Sequence, residues 1–140
     1  MTNHAIETLM DDEGFRATVY LDHLGNPTIG YGTRVEEIVV SKATAREWLE
    51  AELDEKEERL ERLPFHSVLD DIRKDVIRSM AYQMGVRGTA NFEDMWDAIG
   101  RGDYNAAGDA MRDSRWWRDP KTQRRAERMA KRMERGVWFL

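Results

Sequence analysis

The sequence predicts an α+β fold, predominantly helical, in which a small β-hairpin lobe is joined by a long helix to a helical lobe. Three observations carry that reading. Residues 17–32 hold two short β-type runs, Thr18-Val19-Tyr20-Leu21 and Thr28-Ile29-Gly30-Tyr31-Gly32, on either side of the turn-forming Asp22-His23-Leu24-Gly25-Asn26-Pro27. From Ser41 onward the apolar residues recur at helical spacing. The first of these helical stretches, running to Pro64, has a narrow apolar stripe and a wide charged surface, with eight acids and three bases between Glu47 and Arg62. A helix polar on most sides suits a bridge between two lobes.

Each element has its own signal. Residues 3–12 read as a short amphipathic helix, capped by Thr2 or Asn3, with Ala5, Ile6, Leu9 and Met10 on one face. Gly14 suits the left-handed position that ends it. After the hairpin, Val35 to Val40 reads as a third strand or an extended connector. Ser41 caps the long helix, whose stripe of Ala45, Trp48 or Leu49, Leu53, Lys56, Leu60 and Leu63 is broken by Pro64. Leu69, Ile72, Val76, Ile77, Met80, Ala81 and Met84 give the next helix a wide apolar face, expected at the centre of a core and ended by Gly85 and Gly88. Asn91 is expected to cap a helix containing Phe92, Met95, Trp96 and Ile99, and Asp103 another containing Ala106, Ala107, Ala110 and Met111. Pro120 precedes a last helix over about 121–135, with Ala126, Met129, Ala130 and Met133 inside and Gly136 beyond its end. The layout is one domain over residues 1–140: a hairpin lobe at 13–45, a bridging helix at 42–63, and a helical lobe at 64–140 plus the N-terminal helix.

Composition narrows the function classes. Leu, Ile, Val and Phe number 27 in 140 residues. That is low for a globular chain, but five Trp, eight Met and four Tyr supply further apolar surface and argue for a packed core. No apolar run exceeds four residues, against the roughly 20 that span a bilayer, so stable membrane insertion is not expected. The absence of Cys excludes a disulfide scaffold, a thiolate metal site and a Cys nucleophile. The start, Met-Thr-Asn-His-Ala-Ile-Glu, has neither a basic nor an apolar leader region, so no cleaved signal peptide is expected.

Charge is unevenly placed. Residues 1–111 carry 12 bases and 23 acids, net −11, whereas residues 112–140 carry 10 bases and 4 acids, net +6. The plain reading is solvated helix faces; the functional one is a patch for an anionic polymer. Nucleic acid is not expected as partner, because the domain as a whole is acidic. His4, His23 and His66 are scattered, form no ligand pattern and read as surface or turn residues. Neither a metal nor a cofactor is implied.

Most acids lie in helix-face runs, but two do not. Glu13 stands at a helix end beside Gly14, and Asp22 stands at the hairpin bend with Thr28 opening the return strand. Local chemistry alone reads Asp22 as closing an Asx turn and Glu13 as terminating a helix. The spacing adds a second reading. Glu13, Asp22 and Thr28, embedded in Glu13-Gly14, Tyr20-Leu21-Asp22, Gly25 and Thr28-Ile29-Gly30-Tyr31-Gly32, resemble the Glu–Asp–Thr triad of the phage-type lysozymes, glycoside hydrolase family 24. The resemblance continues in order through Tyr82-Gln83-Met84-Gly85 with Phe92, Ser114-Arg115-Trp116-Trp117, and Arg124-Arg125-Ala126 to Gly136-Val137-Trp138.

The resemblance implies a muramidase that hydrolyses the β-1,4 bond between N-acetylmuramic acid and N-acetylglucosamine in peptidoglycan, bound in a cleft between two lobes. It implies Glu13 as general acid, Asp22 as ionised partner and Thr28 as holder of the attacking water. Carboxyls about 6.5–9.5 Å apart would give inversion and about 5–5.5 Å retention; a threonine beside the water favours inversion. It implies that Arg125, with Arg124 as the alternative, pairs with the catalytic glutamate, and that Tyr82, Gln83, Ser114 and Trp116 are candidate substrate-binding residues. Core packing is the competing role for Trp116. The implied setting is a free, monomeric endolysin made in a host cytoplasm, released by a holin to the periplasmic face of the wall. The alternatives are a virion-associated lysozyme domain, against which a lone domain beginning at Met1 weighs, and a non-catalytic wall or nucleic-acid binder using the basic C-terminal stretch. Well-known members of this family are basic, so the acidic net charge of −5 is a departure that bears on wall attachment rather than bond cleavage.

Overall fold

A computed structural model describes residues 3–139 and divides the chain into two compact units, residues 1–45 and 46–140. In the first, α1 (Asn3–Glu13) ends where Gly14, at φ 70, donates its N–H to the Met10 carbonyl at 3.1 Å. Its stripe of Ile6, Leu9 and Met10 is exposed rather than buried. Asn3 lies within the helix, and Thr2 lies outside the described residues. Strands β1 (Arg16–Leu21), β2 (Pro27–Gly30) and β3 (Thr33–Arg34) form an antiparallel sheet in chain order. Tyr20 pairs with Thr28 and Thr28 with Arg34, so β2 is the central strand.

The third strand is only two residues long. Val35–Glu37 forms a 3-10 turn closed by the Ile38 N–H on the Val35 carbonyl at 3.2 Å, in place of the strand or extended connector expected over residues 35–40. The adjacent acids Glu36 and Glu37 are poor strand formers.

Helix α2 (Lys42–Glu61) begins in the first unit and runs through the second. Ser41 caps it, its Oγ accepting the Thr44 N–H at 3.1 Å. Leu60 is its buried residue, and exposed pairs such as Arg46–Glu50 and Glu58–Arg62 line the outside.

Helix α3 (Asp71–Ala90) is capped by Asp70 and interrupted at Gly85, whose φ of 81 and ψ of 165 are not helical. The helix resumes to Ala90, so Gly85 makes a kink and Gly88 lies in the continuing turn instead of ending it. Asn91 is then the C-cap of α3, not the N-cap of the next helix. Phe92 fills that place without a side-chain hydrogen bond, ahead of α4 (Glu93–Gly100). Asp103 caps α5 (Tyr104–Arg112), accepting the Ala106 N–H at 3.0 Å. A one-turn helix, α6 (Arg115–Arg118), had no sequence signal because four residues are too few to set a period. Helix α7 (Gln123–Arg135) starts after Thr122 and stops at Gly136, at φ 65.

Among the described residues, the buried apolar ones all come from the second unit, among them Leu60, Ile77, Met80, Met95, Ile99, Met111 and Met133. Met129 belongs with them, and Met84 packs at the edge. Arg73 joins three helices of this unit. Its guanidinium donates to the carbonyls of Met133 and Glu134 at 2.6 and 3.0 Å, pairs with Asp70 at 2.6 Å and lies 3.6 Å from the centre of the Tyr104 ring. The last carbonyls of α7 thus gain a charged donor. His66 differs from expectation: it sits in a 3-10 turn, His66–Val68, yet is only 2% exposed, because Leu60 and Leu69 draw that turn into the core. Met111→Ala is expected to lower unfolding free energy by about 2–5 kcal/mol, measured by denaturant titration, since it empties a fully buried site.

Candidate active site

The first unit brings Glu13, Asp22 and Thr28 into one small fold. Glu13 is the final residue of α1, and the left-handed Gly14 turns the chain from helix to β1 immediately after it. The Glu13 side chain is exposed and lies against Gly32 in the β2–β3 turn: a Cβ at Gly32 would stand 3.0 Å from Glu13 Oε2 and 3.4 Å from its Cδ. Gly32 also has φ +88, so both backbone and space demand glycine there.

Asp22 closes the hairpin. Its Oδ1 accepts the backbone N–H groups of Leu24 at 2.9 Å and Asn26 at 2.8 Å, and its Oδ2 accepts the Asn26 side-chain amide at 3.4 Å. The Asp22 N–H donates to the Asn26 carbonyl at 3.0 Å, and the Gly25 N–H to the Asp22 carbonyl at 2.9 Å. The Asn26 N–H is the foremost influence holding the Asp22 carboxyl below its usual range; partial burial opposes it, and the Leu24 N–H adds to it. The Asx turn expected from local chemistry is therefore real, and it keeps this carboxylate ionised.

Thr28 is 2% exposed on the central strand, and its hydroxyl donates to the Asn26 carbonyl at 2.8 Å. Its proton is committed to that carbonyl, leaving the oxygen lone pairs to accept. Asn26 therefore links the two residues, donating to Asp22 and accepting from Thr28. Sequence reasoning placed Asn26 only in turn chemistry. The available signal was its position four residues after Asp22, directly ahead of Pro27.

The remaining candidates lie in the second unit and separate into three places. Tyr82 and Arg125 line one open hollow of about 510 Å³ with Leu53, Arg78, Arg128 and Trp138. Gln83 and Trp116 line another of about 390 Å³ with Phe92, Arg115 and Thr122. There the indole Nε1 of Trp116 donates to Gln83 Oε1 at 2.9 Å, and its ring meets Phe92 edge-on with centres 6.3 Å apart. Trp116 is 8% exposed and belongs to the core as well as to the hollow's wall. Ser114 lines neither hollow. Its hydroxyl donates to the Met111 carbonyl at 2.6 Å and accepts the Trp117 N–H at 3.2 Å, which caps α6.

Some bases of the C-terminal stretch have partners within the chain. Arg112 bonds Glu127 at 2.9 Å, Asp109 at 3.3 Å and Glu134, while Arg118 pairs with Asp113. The Trp117 indole donates to Glu127 at 2.8 Å, and Arg132 bonds the Phe139 carbonyl. Arg112 is held even more firmly protonated than an ordinary arginine, first by Glu134 and then by Glu127. Among the described residues, no helix is long and apolar enough to cross a membrane.

Comparison with known proteins gives two matches. The family model described as Phage lysozyme matches residues 10–135, a span that includes Glu13, Asp22, Thr28 and Arg125. The chain is also similar to the pre-baseplate central spike protein Gp5 of Enterobacteria phage T4, 34% identical over 144 residues. That alignment takes in 82% of this chain and 25% of the spike protein, so the chain spans about a quarter of the length of the curated relative it matches.

The Asp22 geometry has a pH signature. A carboxyl held low in the fold stabilises it fully above the ordinary value of 3.8, and that stability is lost as pH falls through the lower folded value. A carboxyl NMR titration is expected to place the Asp22 midpoint below 3.8, and Asp22→Ala to remove that resonance together with the slowed exchange of the Leu24 and Asn26 amides.

Proposed function

Since this chain belongs to the phage lysozyme family, a family of glycoside hydrolases, we propose that it cleaves the β-1,4 bond between N-acetylmuramic acid and N-acetylglucosamine in peptidoglycan. One observation supports this most directly: two carboxylates in one small unit have contrasting surroundings. Asp22 is tied by backbone amides that keep it ionised, while Glu13 is exposed against Gly32. Glycoside hydrolysis uses two carboxyl groups in distinct roles.

In this reading Glu13 delivers the proton to the departing glycosidic oxygen. Asp22 supplies the negative charge for the oxocarbenium-like centre or activates water as base. Thr28 offers its oxygen as acceptor to that water, and attack from the face opposite the leaving group inverts the anomeric centre. Tyr82, Gln83 and Trp116 suit sugar and acetamido groups by their planes and amide. Ser114 acts by setting the start of α6, ahead of Trp116. Arg125 is assigned a supporting role toward the general acid. The whole chain serves as one lysozyme domain, monomeric and without a cofactor.

Two settings follow. The first is a free endolysin that reaches the wall with the help of a holin. The second is a virion-associated lysozyme, favoured by the similarity to a phage spike protein. Purified particles and cleared lysates, each probed for the chain, separate them: enrichment in particles supports the second and overturns the first.

Turbidity loss of permeabilised Gram-negative cells, with appearance of reducing ends, is the expected activity. Glu13→Gln is expected to lower it by about 10²–10⁴-fold with an unchanged circular-dichroism spectrum. Wild-type rates in that variant, or turbidity loss without reducing ends, would sink the assignment. Gly32→Ala is expected to lower activity as well, because the new Cβ would stand 3.0 Å from Glu13 Oε2 on a backbone at φ +88.

A further inference from the structure

The corner between α2 and α3 buries a histidine that the reaction does not use. His66 is 2% exposed, and its Nε2 is enclosed with no hydrogen-bond partner among the described residues. It follows Phe65, a non-glycine residue in the left-handed region at φ 67. The turn is closed by backbone bonds from His66 N to Leu63 O at 3.2 Å, Val68 N to Phe65 O at 3.3 Å and Leu69 N to His66 O at 3.2 Å. The Phe65 ring leans on α4: a Cβ at Gly100 would stand 2.7 Å from Phe65 Cε2.

The charged groups acting on the ring come from both helices. Glu57 and Glu61 of α2 favour the imidazolium, whereas Lys74 and Arg78 of α3 oppose it. Glu57 is already engaged by Arg78 through bonds of 2.6 and 2.9 Å. Burial is the largest influence and, with Lys74 and Arg78, keeps His66 below its ordinary value of 6.5. An imidazolium carries N–H on both ring nitrogens, and here Nε2–H would face the interior without an acceptor.

We propose that His66 is a proton-operated latch: neutral, it stays buried and holds the α2–α3 corner closed, and on acidification it takes up a proton by leaving the interior, which opens residues 63–69 at the start of α3. The inference is independent of the proposed hydrolysis. Its sign is fixed by linkage. The open form binds the proton more readily, so the latch is complete above the ordinary histidine value and weakens as pH falls from there toward the lower folded value. Over that window the closed-to-open ratio falls by up to about tenfold per pH unit.

The test uses the full chain. Imidazole NMR titration follows His66, with the His66→Gln spectrum for assignment. Amide exchange at His66, Val68 and Leu69, corrected for intrinsic rates and compared with Ile77 and Met111, is measured at about pH 7.5 and about pH 5. The expected results are a His66 midpoint below 6.5 and corner protection that falls on acidification by up to about tenfold per pH unit, while Ile77 and Met111 keep theirs. His66→Gln is expected to abolish the pH slope at the corner. A His66 midpoint at or above 6.5, corner exchange indifferent to pH, or an unchanged slope in His66→Gln overturns the latch. If His66→Gln does not fold, the titration and exchange of the unaltered chain decide by themselves.

Discussion

In the hairpin turn, one oxygen of the Asp22 carboxylate accepts two backbone N–H groups, and much of the first unit's order follows from that arrangement. The turn has no apolar interior to hold it. Its amides would otherwise have only water, and a charged acceptor serving two of them is stronger than a neutral one. With Asn26 fixed, its carbonyl takes the Thr28 hydroxyl, and Thr28 enters the central strand already oriented.

The second unit solves a different problem, which is how to carry many arginines close together without self-repulsion. Arg73 spends its charge on carbonyls at the end of α7, and Arg112 spends its own on Glu127 and Glu134. Glu134 fits beside α5 because Gly108 is bare: a Cβ there would stand 2.5 Å from Glu134 Cγ. Within the basic stretch that the sequence shows, Arg112 is in space a tie between α5 and α7. Arg132 is the costlier case, since burial and the neighbouring Arg128 both weaken its hold on its proton.

Local chemistry was legible where one residue settles the backbone. Gly14, Ser41, Asp103 and Gly136 each stop or start a helix for reasons contained in their own neighbourhood. The apolar stripes of α3 and α7 likewise marked Met80, Met129 and Met133 for the core. Legibility failed where distant packing decides. His66 is polar and sits in a turn, yet the leucines around it carry it inside. At Gly85 the backbone does leave the helical region, as its residue type suggests, but a further helical stretch runs on to Ala90, where the Thr89 hydroxyl donates to the Gly85 carbonyl at 2.9 Å and the Trp96 indole to the Thr89 carbonyl at 3.1 Å. For the candidate site, the resemblance to the phage-type lysozymes marked Glu13, Asp22 and Thr28 as a set. It could not convey that Asn26 joins two of them, or that Gly32 is the floor under the third.

That the buried apolar side chains among the described residues all lie in the second unit has a consequence for how this molecule can change over generations. Residues such as Glu13, Asp22 and Gly32 draw on turn geometry and backbone bonding rather than on the hydrophobic interior. Selection can therefore vary this turn-built stretch of the chain while the reservoir of folding energy in the other stays untouched, so variability and robustness are inherited on separate stretches of the same gene.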